Sequence, residues 1–474
     1  MRRAETLVVL LADEGVRWKE SVEVISEQIN KLVGNVFLSC ACISYFGAFT
    51  GEYRTKIVQS WVEGCLEKEI PTSEDFSLVN VMGDPVMIRN WNIAGLPNDQ
   101  VSSENGILTT QAERYSLCID PQQQANKWIK NLEKDNKLSL LKFGTGNFLR
   151  EVTAAVRIGR PCMVEDVEET IDPAIDPILM KQQFKTEAGI WQIRIGESNV
   201  DYDDHFKFFM TTKMPNPHYI PEICIKVTLI NFTVTFDGLQ QQMLGDVVVA
   251  EKPEIEEKRD KIVLTMAADS KKIKELENNI LKMLSDATLE QILDEDTLIE
   301  VLQDSKKISA EINERMEQSK IVEVEINDTR NLYLDVSIRG SILYFVIADL
   351  AGIDPMYQNS LAYVKSLFNA AIAESAQMPS IEERLALLIK NITEMIFTNV
   401  SRGLFEKDKL IYAFLITTSI KRNVKAIDEA IWNIMLRGPT VFTVEERRAI
   451  LPSPDLVILN QISWETILSA ELRS

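Results

Sequence analysis

Apolar residues recur at helical spacing over residues 1–33, with charged residues between them. A period of about 3.6 residues is typical of an amphipathic helix. The stretch holds a single glycine, Gly15, and no proline. The pattern therefore predicts a helix over 1–33, and its charged faces indicate part of a coiled coil. The residues that set the period are Leu7, Leu11, Val22, Ile25, Ile29 and Leu32.

The next stretch, residues 36–64, is apolar and aromatic, and we expect it to be buried. Its aromatic residues include Phe37, Tyr45, Phe46, Phe49, Tyr53 and Trp61.

A second helical pattern fills the 94 residues between Gly245 and Gly340, which contain no Gly, Trp, Phe, Cys or His and one proline, Pro253. Two heptad-spaced runs, 262–287 and 298–312, are separated by an acidic connection at 289–296. This arrangement predicts an antiparallel coiled-coil hairpin at 251–326. The alternative is a globular helical bundle, which normally carries aromatic residues and glycines.

The region 85–250 alternates short apolar strands with helical stretches. The strands are predicted at 115–119, 161–164 and 206–211, and the helices at 125–132 and 148–158. Such alternation favours a parallel sheet with crossover helices. From Gly340 onward the chain reads as mostly helical, whereas prolines at 439, 452 and 454 predict a loose tail.

Charge and composition exclude several functional classes. The chain has 474 residues, with 51 basic and 71 acidic side chains and a net charge of −20, so neither nucleic acid nor an anionic membrane is an expected partner. No uninterrupted apolar run approaches the roughly 20 residues of a membrane span. Six cysteines without a Cys-x-x-Cys pair indicate reduced thiols in the cytosol, and the two histidines form no zinc motif.

The first predicted strand is followed by a loop and a helix, which is the setting of a phosphate-binding loop. The residues do not fit, because the loop lacks the glycines that let backbone N–H groups approach an anion. In one alignment Lys127 takes the lysine position and Trp128 replaces the magnesium-binding hydroxyl. In the other, Asn126 replaces the lysine. Asp120 also places a negative charge where phosphate would lie.

The second strand ends in Glu165 and Asp166, where a metal-bound nucleotide would be met in a parallel sheet. Solvated turn carboxylates are the commoner interpretation. We therefore assign Asp120, Asn126, Lys127, Glu165 and Asp166 as degenerate nucleotide-site positions, with no catalytic residue, no metal site and no expected cofactor.

Other side chains have a structural and a functional interpretation. Residues 211–213 end the third strand, and we favour capping of the next loop over nucleotide sensing. We interpret His218 as a structural histidine and Cys40 and Cys42 as small core residues. Arg114 and Arg150 could contact a nucleotide on a neighbouring module, but surface ion pairing is the simpler role.

Several segments in order resemble the dynein heavy chains, in particular the axonemal branch. The resembling segments are 16–20 (VRWKE), 45–54 (YFGAFTGEYR), 96–99 (LPND), 104–106 (ENG), 119–122 (IDPQ), 212–219 (TKMPNPHY), 353–358 (IDPMYQ) and 402–410 (RGLFEKDKL). The resemblance covers nearly the whole chain. It departs from a full heavy chain in extent, since the first AAA module, the linker and the microtubule-binding tip have no counterpart here. A short isoform, a fragmentary gene model and an excised segment are all compatible with that extent.

The resemblance implies a fold and an organisation. The fold class is a degenerate AAA-type, P-loop NTPase-like α/β module with an antiparallel coiled-coil hairpin and a mostly helical C-terminal region. The implied segments are the end of the stalk coiled coil at 1–35, a helical segment entering the ring at 36–84, a degenerate fifth AAA module at 85–250, a buttress-like hairpin at 251–326, a helical lead-in to the sixth module at 327–440 and a loose tail at 441–474.

The resemblance further implies a non-catalytic mechanical segment that links the AAA ring to the stalk in ciliary motility. Its implied partners are neighbouring AAA modules, the stalk and other dynein subunits, with microtubules contacted only indirectly, in the cytoplasm and the axonemal cytoskeleton. The resemblance is to part of a motor ATPase, but this chain has no intact ATPase site and we expect it to be inactive alone. The alternatives are a regulatory module that binds ATP and a short isoform that acts as a coiled-coil interaction protein.

Overall fold

The computed structural model describes residues 2–187, 189–196, 198–286 and 296–428, together with 432, 433 and 436. Its contacts divide the chain into two units, Met1–Leu334 and Asp335–Ser474, which are described separately. The tail predicted at 441–474 and the acidic connection at 289–295 lie outside the described residues.

The first unit opens on a 40-residue helix, α1 (Arg2–Ala41), which confirms the predicted N-terminal helix. A π-helical turn at Cys42–Phe46 continues it, and α2 (Gly51–Glu67) follows. The predicted burial of the aromatic stretch is mostly wrong. Phe46 is buried, but Phe37, Tyr45 and Tyr53 are exposed, because the helices there turn only one side toward the body of the unit.

One helical stretch in the described part of the chain, Ser21–Phe46, is apolar and long enough to cross a membrane by length and composition alone. It holds no uninterrupted apolar run of that length, because Glu23, Glu27 and Lys31 lie within it. Core helices of soluble proteins and signal sequences meet the same criterion.

The centre of the unit is a five-stranded parallel sheet in the order β2-β3-β7-β1-β8, which confirms the predicted α/β core. Its strands are β1 (Ser116–Ile119), β2 (Ser139–Lys142), β3 (Cys162–Glu165), β7 (Phe208–Thr212) and β8 (Thr228–Asn231). Further helices are α3 (Leu78–Met82), α4 (Pro85–Ile93), α5 (Gln100–Gln111), α6 (Gln124–Leu132), α7 (Phe148–Ile158), α8 (Asp176–Leu179), α9 (Pro221–Cys224) and α10 (Phe236–Glu251).

A small antiparallel sheet lies between β3 and β7 in the chain and was not predicted. It consists of β4 (Gln183–Lys185), β5 (Trp191–Ile195) and β6 (Ser198–Asp201). These strands are short, and Phe184 and Trp191 are exposed, so their apolar pattern is weak.

Alternate residues of the central strands enter two hydrophobic cores, one on each face of the sheet. Leu117 and Val164 join a core with Val152 of α7. Their neighbours Cys118 and Met163 join the opposite core with Trp128 of α6. This division follows from the two-residue period of a strand.

Two long helices complete the unit, α11 (Pro253–Asp286) and α12 (Asp296–Asn331), and they are in contact. Arg315 pairs with Asp269 at 3.0 Å, and Arg330 pairs with Glu256. The higher-numbered residue of one helix thus faces the lower-numbered residue of the other, so the helices run antiparallel. α1 also contacts α12.

The second unit is helical in its described part, with α13 (Leu334–Asp349), α14 (Leu361–Glu374), α15 (Ile381–Ser401) and α16 (Glu406–Asn423). Its buried residues include Leu343, Phe368, Leu388, Ile392 and Tyr412. The Tyr357 hydroxyl donates to Asp408 at 2.7 Å and accepts from the Phe405 amide, which fixes the loop before α16.

Candidate functional site at the carboxyl edge of the parallel sheet

The carboxyl ends of β1, β3 and β7 lie side by side, since β7 pairs with both of the others. β2, the next strand after β1 in the chain, lies beyond β3 at the far side of the sheet. Open parallel sheets bind ligands at such a carboxyl edge, where the strand order reverses. The candidate residues after β1 and β3 are therefore brought to one place.

Asp120 turns back over the start of α6. One carboxylate oxygen accepts the Gln124 amide at 2.8 Å and the other accepts the Asn126 amide at 2.9 Å. The Asp120 amide donates to the Thr212 carbonyl of β7 at 2.9 Å. Gln123 adopts a left-handed conformation, φ 59°, which turns the loop so that successive amides point at the carboxylate.

The Asp120 side chain is buried, with the residue only 1% exposed. Burial raises the pKa of its carboxyl to about 6, and the backbone amides of Asn126, Gln124, Ala125 and Gln123 oppose that rise. The carboxyl of Asp120 is thus out of contact with water. The amides at the start of α6 replace its lost hydration.

Asn126 and Glu165 meet across the edge. The Asn126 side-chain amide donates to Glu165 at 2.6 Å, and the Lys130 ammonium lies 2.7 Å from the same carboxylate oxygen. Burial acts to raise the pKa of Glu165, but the bonds from Lys130 and Asn126 outweigh it and hold the pKa below its usual value.

Asp166, the residue after β3, has a left-handed backbone, φ 54°. Lys142 of β2 and Lys213 after β7 both pair with it. Their hydrogen bonds lower the pKa of Asp166. The Asp166 carboxylate therefore connects the end of β3 to β2 and to the segment after β7.

The other two loop residues lie away from these carboxylates. Lys127 is exposed, and none of the described hydrogen bonds joins it to Asp120, Glu165 or Asp166. Trp128 is completely buried, in edge contact with Trp91 and tilted against Phe232, each with ring centres 6.1 Å apart. Trp128 is thus a core residue.

Sequence reasoning missed Lys130 and Lys142. Lys130 had a usable signal, because it lies one helical turn after Asn126 and therefore on the same face of α6. Lys142 had none, since its strand was not predicted. Lys213 was considered only as part of a strand end.

Gln124, at the start of α6, borders a small cavity that is otherwise lined by α5, α10 and the segment before α10. The cavity has a volume of about 10 Å³, and its lining includes Thr235 and Gln242. That volume suits a single water molecule, whereas sites for small ligands have roughly 300–1,000 Å³.

The remaining candidates have structural surroundings. The His218 amide donates to Glu169, and Arg114 donates to the carbonyls of Cys224 and Ile225. Cys42 is buried, and burial raises the pKa of its thiol to about 12. Cys40 was wrongly predicted as a core residue and is exposed. Among the described residues no group of His, Cys, Asp and Glu is arranged to hold a metal ion.

A buried arginine joins the end of the long N-terminal helix to the sheet. Arg54 donates to the carbonyls of Gly47 at 2.9 Å and Phe49 at 3.0 Å, to Asn105 at 2.8 Å and to Glu104 at 3.3 Å. Its guanidinium also covers the Phe46 ring at 4.8 Å. Burial lowers the pKa of Arg54 and raises that of Glu104.

The contacts of Arg54 continue to strand β8. The Asn105 side chain donates to the Asn231 carbonyl at 2.9 Å, and the Asn231 amide donates to the Gly47 carbonyl at 2.8 Å. We call this set, Gly47, Phe49, Arg54, Glu104, Asn105 and Asn231, the arginine joint. These hydrogen bonds join the segment after the π-helical turn to α5 and β8.

Two family models match the chain. The model of the ATP-binding dynein motor region matches residues 89–312, and that of the microtubule-binding stalk of dynein motor matches residues 1–64. Among curated proteins, human dynein axonemal heavy chain 6 is 46% identical over 98% of this chain, and human dynein axonemal heavy chain 1 is 40% identical over 98%. Mouse dynein axonemal heavy chain 3 is 42% identical over 99%.

The chain belongs to the axonemal dynein heavy chains. It spans 11% of the length of each of these three relatives. Within this dynein segment the stalk match ends in α2, and the motor-region match takes in the whole parallel sheet and α11. The arginine joint lies where the two matches approach each other.

Proposed function

We propose that this dynein segment is a non-catalytic mechanical module that links the AAA ring to the stalk. The observation that carries the proposal is the arginine joint. It holds the segment after the π-helical turn and the start of α2, both within the stalk match, against α5 and β8 of the motor-region match, with hydrogen bonds of 2.8–3.3 Å.

The carboxyl edge supports a degenerate AAA module, which we assign as the fifth. A working phosphate loop offers empty backbone donors to an anion, whereas here Asp120 occupies those donors. Glu165 and Asp166 are paired with lysines of the same chain. The edge therefore offers neither a free phosphate cradle nor a free metal ligand.

Two helical features support the stalk and buttress assignments. On α1 the residues Val22, Ile25, Ile29, Leu32 and Val36 follow heptad spacing, and all are exposed. Such a stripe fits the second helix of a stalk coiled coil. The antiparallel helices α11 and α12 are the buttress in this proposal, since α12 contacts α1.

The remaining assignments follow the relatives. The second unit is the helical lead-in to the sixth module, and the partners are neighbouring AAA modules and other dynein subunits in the axoneme. Contact with microtubules is indirect. The runner-up function is a coiled-coil interaction protein, which the exposed stripe on α1 also favours. It predicts capture of helices from other proteins in place of the parent stalk.

The first prediction concerns nucleotide binding. We expect millimolar magnesium-ATP to leave the melting temperature of the chain unchanged relative to magnesium chloride alone, because Asp120 fills the phosphate position. Thermal shift followed by calorimetric titration measures this. A saturable rise that disappears in Lys127→Ala would support the ATP-binding alternative, whereas Lys137→Ala, an exposed lysine in a turn, serves as the matched control.

The second prediction concerns mechanical coupling in a full heavy chain. Coupling of this kind needs an element with two arrangements, and the candidate is sliding of α1 against α12. We expect a disulfide between cysteines introduced across the α1–α12 contact to uncouple microtubule binding from ATP turnover, in a background with the exposed Cys40 replaced by serine.

The control cross-link joins α11 to α12 through a bismaleimide between Asp269→Cys and Arg315→Cys, because a salt bridge that uses the full length of an arginine spans more than a disulfide can. It leaves α1 free to slide, so coupling should survive. A motor that couples normally with the α1–α12 disulfide closed would refute the sliding mechanism.

A further inference from the structure

We propose that this module carries its own replacement for a bound metal–phosphate group, with the Asp120 carboxylate in the phosphate position and the Lys130 ammonium in the cation position. The inference rests on the proposed function and deepens it. It explains how a module without a ligand keeps the closed edge that a ligand would otherwise organise.

The Asp120 carboxylate occupies the anion position. Asp120 lies at the carboxyl end of strand β1, and its two oxygens accept amides from the first turn of the nine-residue helix α6. The left-handed Gln123 completes the concave set of amides that proteins use for phosphate. The residue is 1% exposed, so this charge is enclosed as a ligand would be.

The cation position lies at the end of another strand, β3. Glu165 ends β3, where a parallel sheet presents a carboxylate to a metal-bound nucleotide. Its oxygen lies 2.7 Å from the Lys130 ammonium and 2.6 Å from the Asn126 amide nitrogen. Because Asn126 also donates its backbone amide to Asp120, one residue connects the anion position to the cation position.

A permanently filled edge has a mechanical consequence. A module that exchanges ligands gains and loses the contacts that tie its first helix to its sheet. Here those contacts belong to the chain itself, so α6 stays fixed to β3 and β7 whatever nucleotide the rest of a ring binds. The module then transmits motion as one body.

The experiment empties the anion position. Asp120→Gly should melt at a lower temperature than the wild type, and inorganic pyrophosphate at 10 mM should raise its melting temperature by about 2–4 °C over sodium chloride of equal ionic strength. The wild type should show no such specific rise. The matched control is Asp99→Gly, which removes a carboxylate that accepts the Ser102 amide at the start of another helix, α5.

An equal rise in the melting temperature of Asp99→Gly with pyrophosphate would show that any helix start binds the anion in this way, and it would overturn the proposal. A folded Asp120→Gly variant whose melting temperature does not rise with pyrophosphate would also overturn it. If Asp120→Gly does not fold, amide hydrogen exchange of the wild type tests the proposal in its place. Amide hydrogen exchange of residues 123–127 should be slow without ligand and unchanged by pyrophosphate or magnesium-ATP. Slower exchange on adding either probe would mean that the position is vacant.

These outcomes separate the inference from the function on which it rests. If the wild type binds neither probe and the melting temperature of Asp120→Gly does not rise with pyrophosphate, only the proposal that Asp120 occupies the phosphate position is refuted. Protection of the wild-type segment by magnesium-ATP, together with ATP turnover, refutes the non-catalytic module as well.

Discussion

Replacing Arg54 with methionine is expected to lower the free energy of unfolding of the first unit by about 3–5 kcal/mol. The arginine is buried, as is its partner Glu104. Removal of the guanidinium leaves the Glu104 carboxylate without its cation in an apolar setting. It also takes the Arg54 donor from the Phe49 carbonyl and one of two donors from the Gly47 carbonyl, which keeps the Asn231 amide. Each of these changes costs more than loss of an exposed ion pair.

Urea unfolding followed by tryptophan fluorescence measures the loss. The double variant Arg54→Met, Glu104→Leu should be more stable than the two single losses added together, because it removes both buried charges at once. Lys31→Met is the matched control, since Lys31 pairs with Glu27 on the exposed side of α1, and its effect should be near the error of the measurement. Additive losses in the double variant would show that the two charges do not act as a pair.

A second substitution separates the charge of Arg54 from its shape. Arg54→Lys keeps a cation near Glu104, but an ammonium lacks the planar fork that reaches several acceptors at once. The joint therefore depends on arginine specifically, which fits a rigid connection between the stalk helix and the sheet.

The strands of the sheet were predictable to the extent that they are completely buried. β1, β3 and β7 are mostly apolar and almost completely buried, and they were found within two residues of their bounds. β2 alternates between half-buried and exposed residues, so it carries no continuous apolar run. The small antiparallel sheet escaped for a related reason, because its strands are short and leave large apolar side chains in solvent.

The sequence predicted where the candidate site lies, but not the hydrogen bonds that its residues make. The strand–loop–helix order located Asp120 and Asn126, and the strand end located Glu165. The sequence could not tell that Asp120 bonds to its own helix, because that depends on the turn at Gln123. Nor could it find the arginine joint, in which Asn105 and Asn231 are 126 residues apart. Contacts at such separation follow from the folded topology.

Gly47, the first glycine of the motif at 45–54, is a second case in which a residue is visible in the sequence but its contact is not. A side chain at Gly47 would place a Cβ atom 2.5 Å from the Leu229 carbonyl oxygen of β8. Only glycine lets the backbone after the π-helical turn approach the edge strand this closely. The sequence shows the glycine, and the structure shows which strand requires it.

Replacing Trp128 with threonine is expected to destabilise the first unit by about 3–5 kcal/mol without creating a nucleotide site. Threonine is the residue type that a working loop carries at this position, so the change tests whether the site can be restored by sequence alone. Trp128 fills the core between Trp91 and Phe232, and a smaller side chain leaves a cavity there. Its position in the core also keeps a hydroxyl at residue 128 away from the edge, where Asp120 still occupies the amides of α6.

Thermal unfolding with and without magnesium-ATP measures both halves of this prediction. Trp191→Thr is the matched control, because Trp191 lies half-exposed on the small antiparallel sheet, and it should cost much less. A Trp128→Thr variant as stable as the wild type would contradict the core role of the tryptophan. A variant stabilised by magnesium-ATP would instead show that Trp128, and not Asp120, is what keeps nucleotide out of this dynein module.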